Sequence, residues 1–196
     1  MAGKLFLIVG PSGVGKTVLL KKLADKHPEF YFPPSATTRK PRENEISGQQ
    51  YCFLAPAEFQ RQKAAGEFLE TATIHGQAQY GTLKQPILTA LAKQQVVIRE
   101  VDVQGLQAIR PQIPQAQLRL VFIVPPNLAT LQKRILKRQQ QITPAELQAR
   151  LASAQRELAF ENEADYQIIS RDDQLEAMVQ ELEGYILREA DLVAGY

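Results

Sequence analysis

The 196-residue sequence predicts an α/β fold, a mostly parallel sheet flanked by helices. Two observations predict it. Short apolar runs at Lys4 to Val9, Val96 to Val101 and Leu118 to Val124 alternate with stretches whose leucines recur at helical spacing. The first run also ends on Gly10-Pro11-Ser12-Gly13-Val14-Gly15-Lys16-Thr17, the pattern of glycine, four residues, then Gly-Lys-Ser/Thr, at a strand-to-helix junction. A third observation predicts an addition: the polar segment from about Thr37 to Tyr80 lacks the alternation and reads as a lobe inserted into the connections of the sheet.

In chain order, Lys4 to Val9 is a buried strand and Thr17 to Leu23 opens a helix. The glycines between them permit backbone conformations that turn successive N–H groups onto phosphate oxygens at the positive end of that helix. Lys16 is expected to reach the outer phosphates and Thr17 to hold a metal ion. Phe30 to Ser35 is extended, because Pro33-Pro34 excludes helix, and Thr37 to Gly48 is rich in turns. Gln50 to Leu54 is a strand, Pro56 to Ala65 a helix begun by proline, and Phe68 to Ile74 a strand turned at Gly76. Thr82-x-x-Gln85 has the form of a capping box before a helix over Leu83 to Lys93.

Val96 to Val101 is the next strand, and Arg99 breaks its apolar run, which a strand buried on both faces does not ordinarily allow. After the strand Leu118 to Val124, a helix covers Leu128 to Arg138. Thr143-Pro144-Ala145-Glu146 then caps another that keeps Leu147, Leu151, Ala154 and Leu158 on one face. Tyr166 to Ser170 is the last strand and Gln174 to Leu187 the last helix.

Composition narrows the classes. A hydrophobic fraction of 44% and a charged fraction of 22% suit a globular domain, and a net charge of +2 gives no ground for a nucleic-acid or membrane partner. The single Cys52 cannot close an intrachain disulfide, and with only His27 and His75 beside it a zinc site of protein ligands is not expected. The apolar run Leu5 to Val9 is too short for a signal peptide, so the cytoplasm is the expected compartment.

A second constellation lies in the inserted segment. Ser35-Ala36-Thr37-Thr38-Arg39-Lys40-Pro41-Arg42 precedes Gly48 and Tyr51, then come Glu70 and Tyr80-Gly81-Thr82, and later Glu100 to Gly105 and Pro125-Pro126. Two arginines three apart, flanked by tyrosine hydroxyls, supply convergent donors for a dianionic phosphate. On these stretches and the glycine-rich loop the chain resembles the guanylate kinases over nearly its whole length.

The resemblance implies a P-loop NTPase-type parallel sheet in a single domain 1–196. The core is 1–34, 83–126 and 160–196, the GMP-binding lobe about 35–82, and the helical lid about 127–159. It implies ATP and GMP as substrates, Mg2+ as cofactor, and transfer of the γ-phosphoryl group of ATP to GMP. Gly10 to Thr17 would bind ATP, with Arg171 near the adenine. Arg39, Arg42, Tyr51 and Tyr80 would grip the GMP phosphate, while Ser35, Glu70 and Thr82 read the guanine. Glu100 and Asp102 sit at the family's two acidic positions, for GMP or metal. Arg134, Arg138 and Arg150 would bind the transferring phosphoryl group, with Lys16 and Arg39.

Four features depart from the family pattern: Glu100 in place of aspartate, Gln139 where glycine follows the second lid arginine, one extra residue near Ala78 with Gln79 replacing a tyrosine, and Arg171 in place of asparagine. Two other readings stay open from residues alone, a binding module without catalysis and a related kinase for another small phosphorylated substrate.

Overall fold

Residues 3–43, 45–74, 78–138 and 141–192 are described by the computed structural model of the chain. The apolar runs form β1 (Lys4–Val9), β6 (Val96–Glu100), β7 (Leu118–Val124) and β8 (Tyr166–Ile169), which pair in parallel in the order β6-β1-β7-β8. β1 is central and covered on both sides, which is why nearly every residue in it is apolar. Phe6 and Ile8 pack with Leu19 and Leu23 of α1 (Lys16–Lys26) and Leu182 and Ile186 of α7 (Leu175–Glu189). Leu5, Leu7 and Val9 pack on the other side with Ile87 and Leu91 of α3 (Lys84–Ala92) and Leu106 and Ile109 of α4 (Val103–Ile109).

The segment without alternation is a second, mixed sheet. It comprises β2 (Ser35–Thr37), β3 (Tyr51–Phe53), β4 (Phe68–Ile74) and β5 (Ala78–Leu83), in the order β3-β2-β5-β4. Its small core is Ala36, Phe59 and Phe68, with α2 (Pro56–Ala64) contributing Phe59, whose ring stacks 4.6 Å from that of Phe68. The register shifts between Phe68 and Glu70. Residues two apart on a regular strand share a face, so the irregularity lets Phe68 enter this core while Glu70 faces the other way.

α5 (Leu128–Arg138) and α6 (Pro144–Leu158) form a helical pair with its own cluster, Leu131, Ile135 and Ala154, joined by Ile142, Leu147 and Leu151. The Thr143/Glu146 capping box forms as expected. Leu158 leaves the shared face and packs against the main core.

One local expectation fails. Thr82 and Gln85 make no capping box, and α3 begins at Lys84 after Leu83, with no side-chain cap. Thr82 is a fully buried residue of β5 whose hydroxyl is engaged by Glu70 and Arg99, so it is not free to cap a helix. Extension over Phe30 to Ser35 reduces to a single parallel bridge from Tyr31 to Val97 before β2 begins. The turn assigned to Gly76 and the lid residue Gln139 lie outside the described residues. Among the described residues no helix is long and apolar enough to cross a membrane.

Candidate active site

The glycine-rich loop sits between β1 and α1, at the carboxyl end of the parallel sheet, where such folds hold ligands. Gly10 has φ 146° and an added Cβ would lie 2.3 Å from the Ile123 carbonyl oxygen of β7, so the strand end tolerates no side chain there. Gly15 adopts φ 105° as the N-cap of α1. The Lys16 ammonium donates to the Gly10 carbonyl at 2.5 Å and stands 3.8 Å from Glu100 Oε1. Burial pushes it below the ordinary lysine value, opposed by Glu100, Glu157 and Asp102 in turn. Thr17 donates its hydroxyl to Glu100 Oε2 at 3.2 Å.

The residues expected to read the acceptor nucleotide share one row of the second sheet. Ser35 is registered with Tyr51 on one side and with Thr82 on the other, and Thr82 is registered with Glu70. In-register neighbours on adjacent strands point to the same face, so these four side chains line one surface, with Tyr80 two residues from Thr82 joining them. The Tyr51 and Tyr80 rings meet edge-on at 6.2 Å. The Arg39 guanidinium lies 5.0 Å from the centroid of Tyr51 and 5.5 Å from that of Phe53.

Glu45 grips Arg39 through two bonds of 2.8 and 3.0 Å and also accepts from the Arg42 amide. The Arg39 hydrogen bond, ahead of the Arg42 amide, pulls the Glu45 carboxyl down to about 2. The same carboxylate raises Arg39 above its ordinary value, with Tyr80 adding to it. Arg42 itself is exposed.

The two clusters meet on β6, whose successive side chains point in opposite directions. Glu100 faces the loop, as its contacts with Lys16 and Thr17 record, and Arg99 faces the lobe. Arg99 donates to the Thr82 hydroxyl at 2.9 Å and to the Pro33 carbonyl at 3.1 Å, and lies 3.9 Å from Glu70 Oε1. The break in the apolar run is thus the seam between lobe and core.

Asp102 begins α4, and its Oδ1 accepts from the Gly105 amide at 2.7 Å, so one oxygen of that carboxylate serves as a helix cap. Arg134 is committed within the protein: it donates to Ser170 and Val14 backbone oxygens, to the Ser170 hydroxyl, and pairs with Asp172 at 2.8 Å. It therefore ties α5 to the loop and to the end of β8. Arg138 is exposed at the end of α5, Arg150 is half-buried on α6, and Arg171 is exposed just beyond β8. Ala78 and Gln79 extend β5 opposite Ile74 and Thr73, and Gln79 bonds Gln60 of α2 at 2.8 Å, so the replaced tyrosine position faces that helix.

Sequence reasoning gave no role to Glu45, Glu157 or Arg99. Glu157 lies on α6, where it accepts from the Ser153 hydroxyl; burial raises its carboxyl above the ordinary value, with Lys16 opposing and Asp102 reinforcing. The charge interrupting an apolar strand was the signal for Arg99. Glu157 carries no comparable signal, since a glutamate on an amphipathic helix is ordinary.

Thr17 and Glu100 present hard oxygen donors side by side, which suits a divalent cation such as magnesium. Among the described residues no group of three or more His, Cys, Asp or Glu is placed to hold an ion, so such an ion would draw the rest of its shell from phosphates and water.

A glycine-rich loop of the phosphate-binding pattern at the head of a parallel sheet, beside a second small sheet and a pair of helices, defines a nucleotide-binding protein of the P-loop class. The guanylate kinase family model matches residues 2–189. A guanylate kinase of Thermosynechococcus vestitus is 44% identical over 170 residues, 87% of each chain. One of Bifidobacterium longum is 43% identical over 172 residues, covering 86% of this chain and 87% of its own. In fold, the crystal structure of guanylate kinase from Anaplasma phagocytophilum is similar with a TM-score of 0.70 at 23% identity, over 96% of this chain and 87% of that one. The chain belongs to the guanylate kinase family.

Proposed function

We propose that the loop takes ATP, the lobe takes GMP, and the γ-phosphoryl group passes between them to give ADP and GDP. ATP-dependent phosphorylation of GMP is the activity of this family, and one observation carries its assignment to these residues. The row Tyr51, Ser35, Thr82 and Glu70 is joined through Arg99 and Glu100 of a single strand to Lys16 and Thr17 of the loop.

Lys16 and the backbone N–H groups of the loop Gly10 to Thr17, Pro11 excepted, hold the donor phosphates, with Pro11, Ser12, Gly13, Val14 and Gly15 shaping the loop. Arg39, Arg42, Tyr51 and Tyr80 hold the acceptor phosphate, which displaces Glu45 from Arg39 on entry. Glu70 accepts from the ring N–H and exocyclic amine of guanine, and Ser35 contacts the base beside it. Adenine offers no such pair of donors, so it would leave this half-buried carboxylate unpaired; discrimination of this kind reaches about 10⁴. Thr82 acts through Glu70, since its one hydrogen is already directed there.

The attacking phosphate oxygen needs no general base, because the second pKa of a phosphate monoester is about 6 and the oxygen is mostly deprotonated at neutral pH. Catalysis is alignment and charge neutralisation. Thr17 and Glu100, with the free oxygen of Asp102, would hold Mg2+, which supplies positive charge to the outer phosphate oxygens. Arg138 and Arg150 swing with the lid onto the transferring group, while Arg134 anchors the lid. Arg171 stacks on the adenine. The chain acts as one domain whose lobe and lid close on the paired substrates and exclude water.

An ADP-release assay with ATP, Mg2+ and a panel of GMP, dGMP, AMP, CMP and UMP tests this reading. Turnover confined to guanine nucleotides is expected. Binding of nucleotide without turnover of any acceptor would instead make the chain a binding module, and preference for a different acceptor would overturn the base assignment.

A further inference from the structure

We infer that Arg99 is a positioning residue for base recognition: with Thr82 it forms a buried relay that orients the Glu70 carboxylate toward the guanine of the acceptor. The inference rests on the assignment of GMP to the lobe made above.

Arg99 is anomalous where it stands. Its neighbours Val97 and Ile98 are buried apolar residues of the same strand, yet its own side chain is only 11% exposed. Taking a guanidinium out of water is costly unless its donors are matched. They are matched by a directed set. Nε donates to the Thr82 hydroxyl at 2.9 Å, Nη1 donates to the Pro33 carbonyl at 3.1 Å, and Nη2 faces Glu70 Oε1 at 3.9 Å.

The Thr82 hydroxyl has one hydrogen, and because Arg99 approaches it as a donor, that hydrogen is free to go to Glu70 Oε1, at 2.5 Å. Arg99 thereby fixes the rotor of Thr82, and Thr82 fixes one oxygen of Glu70. An ionised carboxylate accepts at about four lone-pair sites. Thr82 uses one site on Oε1, and among the described residues Oε2 accepts no hydrogen bond, so an edge with two acceptors remains for a ring N–H and an amine.

Without the guanidinium, a carboxylate only 13% exposed loses its nearest positive charge and the hydroxyl that orients it becomes free to turn. The effect falls on the base end of the acceptor, while the ATP loop, contacted by Glu100 on the opposite side of the strand, keeps its contacts. Loss of the relay therefore separates the two substrates kinetically. A base that uses both acceptors suffers more than one that uses a single acceptor, so GMP loses more than IMP, whose hypoxanthine keeps the ring N–H but lacks the 2-amino group.

Arg99→Met, which keeps the length of the stem without its charge, is assayed with GMP and IMP as acceptors and with ATP varied. The expected result is a rise of about tenfold in KM for GMP, the range of a lost charged hydrogen bond, and a fall of similar size in the GMP-over-IMP preference. KM for ATP stays within about twofold, and Arg99→Met adds nothing further in a Glu70→Gln background. An unchanged GMP-over-IMP ratio in folded Arg99→Met, or an equal rise in both substrates' KM, would overturn the inference. Thr82→Val cuts the same relay while leaving Arg99 its bond to Pro33, so an unchanged ratio in that variant overturns it even if Arg99→Met does not fold. Failure of the wild-type chain to phosphorylate GMP would instead sink the functional assignment itself.

Discussion

At the scale of single residues, the charges proposed for the site are engaged with partners inside the protein. Lys16 rests on the Gly10 carbonyl and near Glu100, and Arg39 rests in Glu45. Side chains held in this way lose less freedom when they bind a phosphate, as proposed for both. Arg39→Ala removes two charged donors from the acceptor phosphate, and KM for GMP is expected to rise about 10- to 100-fold with little change for ATP, measured by steady-state kinetics. Lys16→Ala removes positive charge where the transition state needs it and should lower kcat by about 10² to 10³. The two variants thus affect different substrates and different constants. The loop motif was legible because its glycine spacing is a backbone requirement. The Glu45 grip on Arg39 was not, because it depends on a turn that brings residues six apart face to face.

At the scale of elements, strands were easier to foresee than caps. β1, β4 and α5 take the bounds expected from their apolar patterns, since those patterns record which faces are covered. Thr82 matched a capping pattern, yet tertiary partners took its hydroxyl. Thr143 has the same pattern in a solvated turn, and there the box closes. Thr143→Ala should accordingly cost about 1 kcal/mol of stability, read from urea unfolding. Gly10→Ala drives a methyl into the Ile123 carbonyl at a φ suited to glycine, and a loss of about 3 kcal/mol or more is expected in the same measurement. The register shift beside Glu70, which turns that carboxylate to the side of Thr82 and away from the Phe68 core, left no mark in the residue pattern.

At the scale of the whole molecule, charge pairs bind α1 to α7 far from the site. His27 lies 2.7 Å from both Glu29 and Glu183 and stacks on Phe30, while Lys26 and Lys22 pair with Glu183 and Glu176. Burial lowers the His27 imidazole, but the hydrogen bonds with Glu29 and Glu183 outweigh it and leave the net value above 6.5. A raised folded value means that the imidazolium's contribution is complete below its unfolded value and is lost as pH rises through the folded one. Stability should thus decline by less than about 1 kcal/mol as pH rises from 6 to 8, and His27→Gln should flatten that slope in a thermal-unfolding series.

The same scale carries the central claim, that one strand joins two separate phosphate sites so that two nucleotides sit on the chain together. Calorimetric titration of GMP, with and without a saturating non-hydrolysable ATP analogue, tests it most directly. The expected result is one GMP and one analogue bound per chain at once, with Arg39→Ala weakening GMP alone. Mutual displacement of the two ligands at a single site would contradict it.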